Sequence, residues 1–325
     1  MVNILCRPSL FQRRGSLYKN YSQRLSQLSA RPSMTDDGQL FHQLATQARA
    51  AYEEDKDQSE LFWDIVWMLS YRGDRETLEA TLPLTRGDVF ERKFAAAILG
   101  PFAPRVALEI DDIIRTPRRF ASEQIIDVLL EMLVSETNEA VLGALVSSLG
   151  QYQELDIRIP AAIGQFLQYP NIDIRWSLAV GLARYDTPET TRMLIVLSSD
   201  RDASVRQWAT FGLASLSQEN SPEVRAALLA RLKDKKTETR IEAIEGLALR
   251  RDLRVVPAVK QEFDDSANAP WKPTRYLPSE RLMEALGSMA NDPVFGSERA
   301  QVQGIIAHCQ AYIGSQQQLV CGSPA

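Results

Sequence analysis

From residue 38 to 313 apolar side chains recur every three or four positions, the period of a helix that buries one stripe. Sustained apolar–polar alternation is missing from this stretch, so strands are not expected. The pattern predicts helices near 38–53, 58–71, 75–82, 87–99, 119–135, 138–151, 157–168, 172–185, 188–199, 203–217, 222–233, 237–250, 254–264, 279–290 and 295–313. They are short, and polar turns of a few residues join them. That spacing suits helical hairpins stacked in series.

A repeat fixes the order of the stack. Arg175 with Gly181 recurs as Arg206 with Gly212 and as Arg240 with Gly246, at spacings of 31 and 34 residues. A polar turn precedes each unit, and the starts Thr187-Pro188-Glu189 and Ser221-Pro222-Glu223 place a cap before a proline at the first helical position. Counted from the arginine, the residue before it is Ile174, Val205 or Thr239, and the third after it is Leu178, Ala209 or Ala243. The seventh is Leu182, Leu213 or Leu247, and the eighth is Ala183, Ala214 or Ala248. These rows share one side of a helix, as a buried stripe must. Val141, Leu145 and Leu149 pass the same test with Leu142 in place of the arginine. Arg281 with Gly287 has the spacing but places Glu280, Glu284 and Ser288 in the core rows. That match is coincidence, or the terminal helix uses another register.

The pattern D-x-x-V-R-x-x-A-x-x-x-L, as in DASVRQWATFGLA at 202–214, resembles the HEAT-like repeats of the phycobilisome-lyase type. The resemblance covers 137–263 and, with degenerate units, 38–313. It implies an all-α fold, an armadillo-like right-handed α-solenoid of antiparallel helix pairs. It implies no single reaction, because such arrays mostly serve as interaction scaffolds. The expected domains are an N-terminal extension at 1–35, a repeat array at 36–313 with six or seven helix pairs, and a disordered tail at 314–325.

Arg175, Arg206 and Arg240 are the most regular polar signal. On a helical wheel the arginine falls between two buried rows, which assigns it to turn carbonyls and aspartates of a neighbouring repeat. Gly181, Gly212 and Gly246 flank the same stripe and permit close packing. The opposite side of the wheel, between about 100° and about 200°, should meet solvent. It carries Trp176, Val180 and Arg184, then Trp208 and Phe211, then Ile241 and Glu245. In related solenoids the second helix of each pair lines the concave surface. These seven residues are therefore candidates for a partner-binding ridge, with Arg184 and Glu245 at its rim. Packing beneath a flanking helix or the insertion near 265–278 would explain the same residues.

Composition narrows the function classes. The 325 residues are 45% hydrophobic and 24% charged, close to a soluble globular average. Three cysteines exclude a disulfide scaffold. Residues 1–33 hold six basic residues and no acid, leaving the rest with 31 basic against 42 acidic residues, a balance of −11. Nucleic acid is not an expected partner of so acidic a body, whose basic groups at 115–119, 233–236 and 250–254 are interleaved with acids. The segment 1–33 reads as a disordered extension, a start assigned ahead of Met34, or a transit peptide. No apolar run reaches the roughly 18 residues of a membrane span.

Catalytic signals are thin. His42 and His308 are the only histidines, and neither H-E-x-x-H, C-x-x-C nor a phosphate-binding glycine motif occurs. The adjacent acids Glu53-Glu54, Asp111-Asp112 and Asp264-Asp265 read as solvated pairs. The chain is read as a cytoplasmic, non-catalytic scaffold or adaptor that takes a protein partner and needs no cofactor or metal. A phycobilisome-lyase-like or chaperone role on a cofactor-bearing protein is the alternative the resemblance implies.

Overall fold

Polar side chains that cap the first turn set where many of the helices begin. Asn138, Asn171, Asp202, Ser221 and Ser279 each accept hydrogen bonds from backbone amides of the turn they precede. Asp88 and Thr187 form reciprocal capping boxes. The computed structural model describes residues 37–55, 59–100, 121–152, 156–267 and 279–321. Among these, every regular element is helical. In chain order they are α1 Asp37–Asp55, α2 Glu60–Arg72, α3 Arg75–Thr81, α4 Val89–Leu99, α5 Ser122–Ser135, α6 Glu139–Gln151, α7 Arg158–Gly164 and α8 Ile172–Leu182. There follow α9 Pro188–Leu197, α10 Ala203–Phe211, α11 Pro222–Arg231, α12 Thr237–Leu249, α13 Val256–Ala267, α14 Glu280–Asn291 and α15 Arg299–Cys321. The fold is an all-α solenoid.

The chain divides into two units, Met1–Glu154 and Leu155–Ala325. In the first, α2 packs on α4 and α4 on α6, while α1 lies against α2 and α3. Phe62, Phe94, Leu99, Leu145 and Leu149 are fully buried there. Tyr52, Phe62, Phe90 and Phe94 form a ring cluster with centroids 5.4–6.3 Å apart. Trp63 adds an edge contact to Phe62 at 5.1 Å.

In the second unit α8, α10, α12 and α14 stack in sequence, and the layer behind them packs α9 on α11 and α13 on α15. The four core rows of the repeat are buried throughout: Ile174, Val205 and Thr239; Leu178, Ala209 and Ala243; Leu182, Leu213 and Leu247; Ala183, Ala214 and Ala248. Each fully buried leucine in such a row contributes on the order of 2 kcal/mol.

The C-terminal helices settle one register and move one boundary. α14 buries Leu282, Ala285, Leu286, Met289 and Ala290, a register displaced from the one Arg281 and Gly287 would impose. The terminal helix continues to Cys321, past the limit read at 313. Gly314 and the run Gln316–Gln318 do not end it, since glutamine is a good helix former and no cap or proline intervenes. The segment 1–33, Asp111 and Asp112, the basic group at 115–119 and the insertion at 268–278 lie outside the described residues. Among the described residues no helix is long and apolar enough to cross a membrane.

Candidate protein-interaction face

A ladder of ion pairs spaces the repeats of the second unit. The Arg175 guanidinium lies 3% exposed and forks onto the Asp200 carboxylate at 2.7 and 3.0 Å. Its remaining nitrogen donates to the carbonyls of Tyr169 and Pro170 at 2.7 and 2.8 Å. Arg206 repeats this with Asp234 at 2.7 and 3.0 Å and with the carbonyls of Asp200 and Arg201. Arg240 forks onto Glu262 at 2.6 and 2.9 Å and reaches the carbonyl of Asp234. Each aspartate also accepts from the amide two residues on, Asp202 and Lys236 respectively, so one carboxylate ties a turn to the preceding repeat. Burial pushes the Asp200 and Asp234 carboxyls up, but the guanidinium and the amide outweigh it and hold both below the usual carboxylate range. Bidentate charge-assisted bonds of this kind fix register as well as adding energy.

The first unit contains a further rung. Arg92 forks onto Glu136 at 2.7 and 3.2 Å and donates to the carbonyl of Gly87 at 2.8 Å. Its signal stands in the sequence: Asp88, Arg92, Ala95 and Leu99 occupy the same places as Asp202, Arg206, Ala209 and Leu213. Glu91 replaces the apolar residue before the arginine, and 50 residues separate Arg92 from Leu142, which hides the match.

The glycines set how closely neighbouring helices approach. A Cβ on Gly212 would meet the Ala183 Cβ at 2.8 Å, and one on Gly246 would meet the Ala214 Cβ at 2.7 Å. The sixth position of one repeat thus seats against the eighth of the repeat before. Gly181 is also buried. After Phe211 the chain widens into a π turn, Gly212–Leu216, closed by the Ser217 amide on the Gly212 carbonyl at 2.9 Å. Arg250 caps this end. Its guanidinium donates to the carbonyls of Leu213, Ala214, Ser217, Glu219 and Gly246 at 2.7–3.2 Å. At 7% exposure it is a buried cap and not part of a surface basic cluster.

Trp176 and Trp208 stand on α8 and α10 with ring centroids 6.1 Å apart and planes at 89°. Phe211 joins Trp208 at 5.7 Å and 88°. These three rings and Val180 are half-buried, and Arg184 is exposed. Ile241 and Glu245 do not extend the ridge. They are 6% and 3% exposed, because α12 packs at once against α10, α11, α13 and α14 and has almost no free side. The face that remains open runs over α8 and α10. Little else offers chemistry: Glu53, Glu54 and His42 are exposed on α1, while Cys309 is buried and its thiol is pushed up to about 11 by that burial. No group of three or more His, Cys, Asp or Glu that could hold a metal occurs among the described residues.

Comparison with known proteins bears on the repeat and the fold. A family model described as HEAT repeats matches residues 126–214, 159–248 and 190–270. The curated protein YibA of Escherichia coli K12 is 27% identical over 145 residues, 43% of this chain and 51% of that protein. The chain thus spans about half the length of the curated relatives it matches. The X-ray structure of Escherichia coli YibA superposes with a TM-score of 0.55 at 19% identity, covering 87% of this chain and 99% of that one. The complex of CpcE and CpcF of phycocyanin lyase from Nostoc sp. PCC7120 gives 0.38 at 14% identity, covering 82% and 94%. Residues 126–270 of this chain carry HEAT repeats.

Proposed function

We propose that this protein is a non-catalytic, cytoplasmic HEAT-repeat scaffold or adaptor that holds a protein partner on the concave face of its second unit. Trp176, Trp208 and Phe211 are the anchors, Val180 lies beside them, and Arg184 marks the rim. The observation that carries the reading is the run of half-buried, mutually perpendicular rings on successive repeat helices. Aromatic residues of this kind dominate binding energy at protein interfaces, and truncating one costs about 2 kcal/mol or more. The rings need no catalytic partner and sit on helices whose register is locked by the arginine ladder. A bilin-lyase-like role rests on the sequence resemblance alone, so the scaffold reading is preferred.

The test is affinity capture with wild type and a Trp176→Ala/Trp208→Ala variant. A partner retained by wild type should be lost by the variant, while the melting temperature falls by no more than about 4 °C. Equal capture by both proteins would refute the assignment of the face. A melting temperature that drops by ten degrees or more would make the two rings packing residues instead.

A further inference from the structure

At two places in this chain a ring, a guanidinium and a carboxylate stand together. The Arg49 guanidinium lies 4.5 Å from the centroid of the Phe90 ring and pairs with the Asp88 carboxylate at 2.7 Å. Arg251 lies 5.3 Å from the centroid of Phe295 and pairs with Asp292. In each set the acid precedes the ring by two or three residues. Asp173 and Trp176 on α8 repeat that spacing. A helical side chain leans back over the preceding turn, so the indole lies beside the residue three positions earlier. Among the described residues Asp173 is exposed and makes no ion pair, and no cation of the chain stands over Trp176 or its neighbour Trp208. Arg184 stands eight residues beyond Trp176, about 12 Å along the helix. Glu238 holds the place of Asp173 on α12; it is half-buried and, among the described residues, also makes no ion pair. Ring and carboxylate are thus both present on α8, and the chain supplies no guanidinium to join them.

We infer that the face receives an arginine side chain of the protein partner, its guanidinium over the Trp176 indole and paired with the Asp173 carboxylate. The inference rests on the binding role proposed above and names the chemistry the partner brings to it. Tryptophan is the ring that attracts a cation most strongly. A planar guanidinium stacks on a ring and bonds a carboxylate at two points, whereas a lysine ammonium acts as a point charge. Arginine is also the cation in both sets within the chain. The balance of −11 outside residues 1–33 attracts a basic segment and repels an acidic one.

The experiment is fluorescence polarisation of a dye-labelled peptide of alternating arginine and glycine, titrated with the full chain, beside its lysine counterpart of equal length. The arginine peptide should bind saturably and at least about threefold more tightly than the lysine one. Asp173→Asn keeps the shape and removes the charge, and Trp176→Leu keeps an apolar side chain and removes the ring. Each should weaken the arginine peptide about threefold to tenfold. Glu223→Gln removes an equal charge from an exposed position of α11, in the other layer, and should change the affinity by less than about twofold. Equal binding of the two peptides, or an equal loss in Glu223→Gln and Asp173→Asn, overturns the inference, because overall charge then explains the binding. If the arginine peptide does not bind while the Trp176→Ala/Trp208→Ala variant still loses the partner, the arginine is wrong and the binding face stands. If that variant captures the partner as wild type does, the face itself is wrong and the inference falls with it.

Discussion

Replacing Arg206 with Met tests whether the ladder stabilises the stack. The substitution keeps the aliphatic stem and removes both bonds to Asp234, whose side chain is only 3% exposed. The carboxylate keeps the Lys236 amide at 3.0 Å and a weak contact to Arg231 at 3.5 Å. A buried pair broken on one side costs several kcal/mol, and these two remaining donors place the expected loss near the low end, about 2–3 kcal/mol. Urea denaturation followed by circular dichroism reads this directly. Asp234→Asn alone should cost a similar amount, because Arg206 is then left among carbonyls. The double variant should be less destabilised than the sum by about 1–2 kcal/mol. Since the folded state holds the Asp234 carboxyl below its unfolded value, the pair's contribution is complete above about pH 4. It is lost as the pH falls through the depressed folded value, so the gap between wild type and Arg206→Met should narrow in acid to what the bonds to the Asp200 and Arg201 carbonyls contribute. A coupling below about 0.5 kcal/mol at pH 7, or a gap that does not narrow in acid, would refute the ladder as a source of stability.

Two other substitutions probe the same packing. Gly246→Ala should cost about 1–3 kcal/mol, because the added carbon lies 2.8 Å from the Ala214 Cα and the backbone must move; Gly287→Ala, where nothing lies within 4 Å, should instead gain about 0.5–1 kcal/mol. Thermal melts of the two variants should move in opposite directions. Arg250→Met should cost at least about 3 kcal/mol by stripping the donors from five carbonyls of the π turn, the turn after it and α12, and a loss under 1 kcal/mol in urea would show that water replaces them.

The buried rows and the helix order were legible in the sequence because each repeat must bury the same stripe against the next, and a stripe survives drift in every other position. The arginine positions were legible for the same reason. Arg92 was obscured by Glu91 and by the long interval to Leu142. Arg250 leaves no periodic trace: its five acceptors come from two helix ends and a turn, and any cation there reads as surface until the chain is folded.

The error at Ile241 and Glu245 shows what a helical wheel can and cannot decide. A wheel locates the side opposite the core of one repeat, and that side is free only if no later element packs on it. For α8 and α10 the rule holds well enough to leave Trp176, Trp208 and Phe211 half open. For α12 it fails, because this helix contacts four others and buries even Glu242 and Glu245. The ladder changes at the same place. Arg175 and Arg206 pair with aspartates six residues before the next arginine-bearing helix position, whereas Arg240 turns to Glu262 on α13. The regular repeat geometry therefore ends at α12, and the aromatic face ends with it. A ligand that uses this face is expected to span α8 and α10, so substitutions at Ile241 should affect folding before they affect binding.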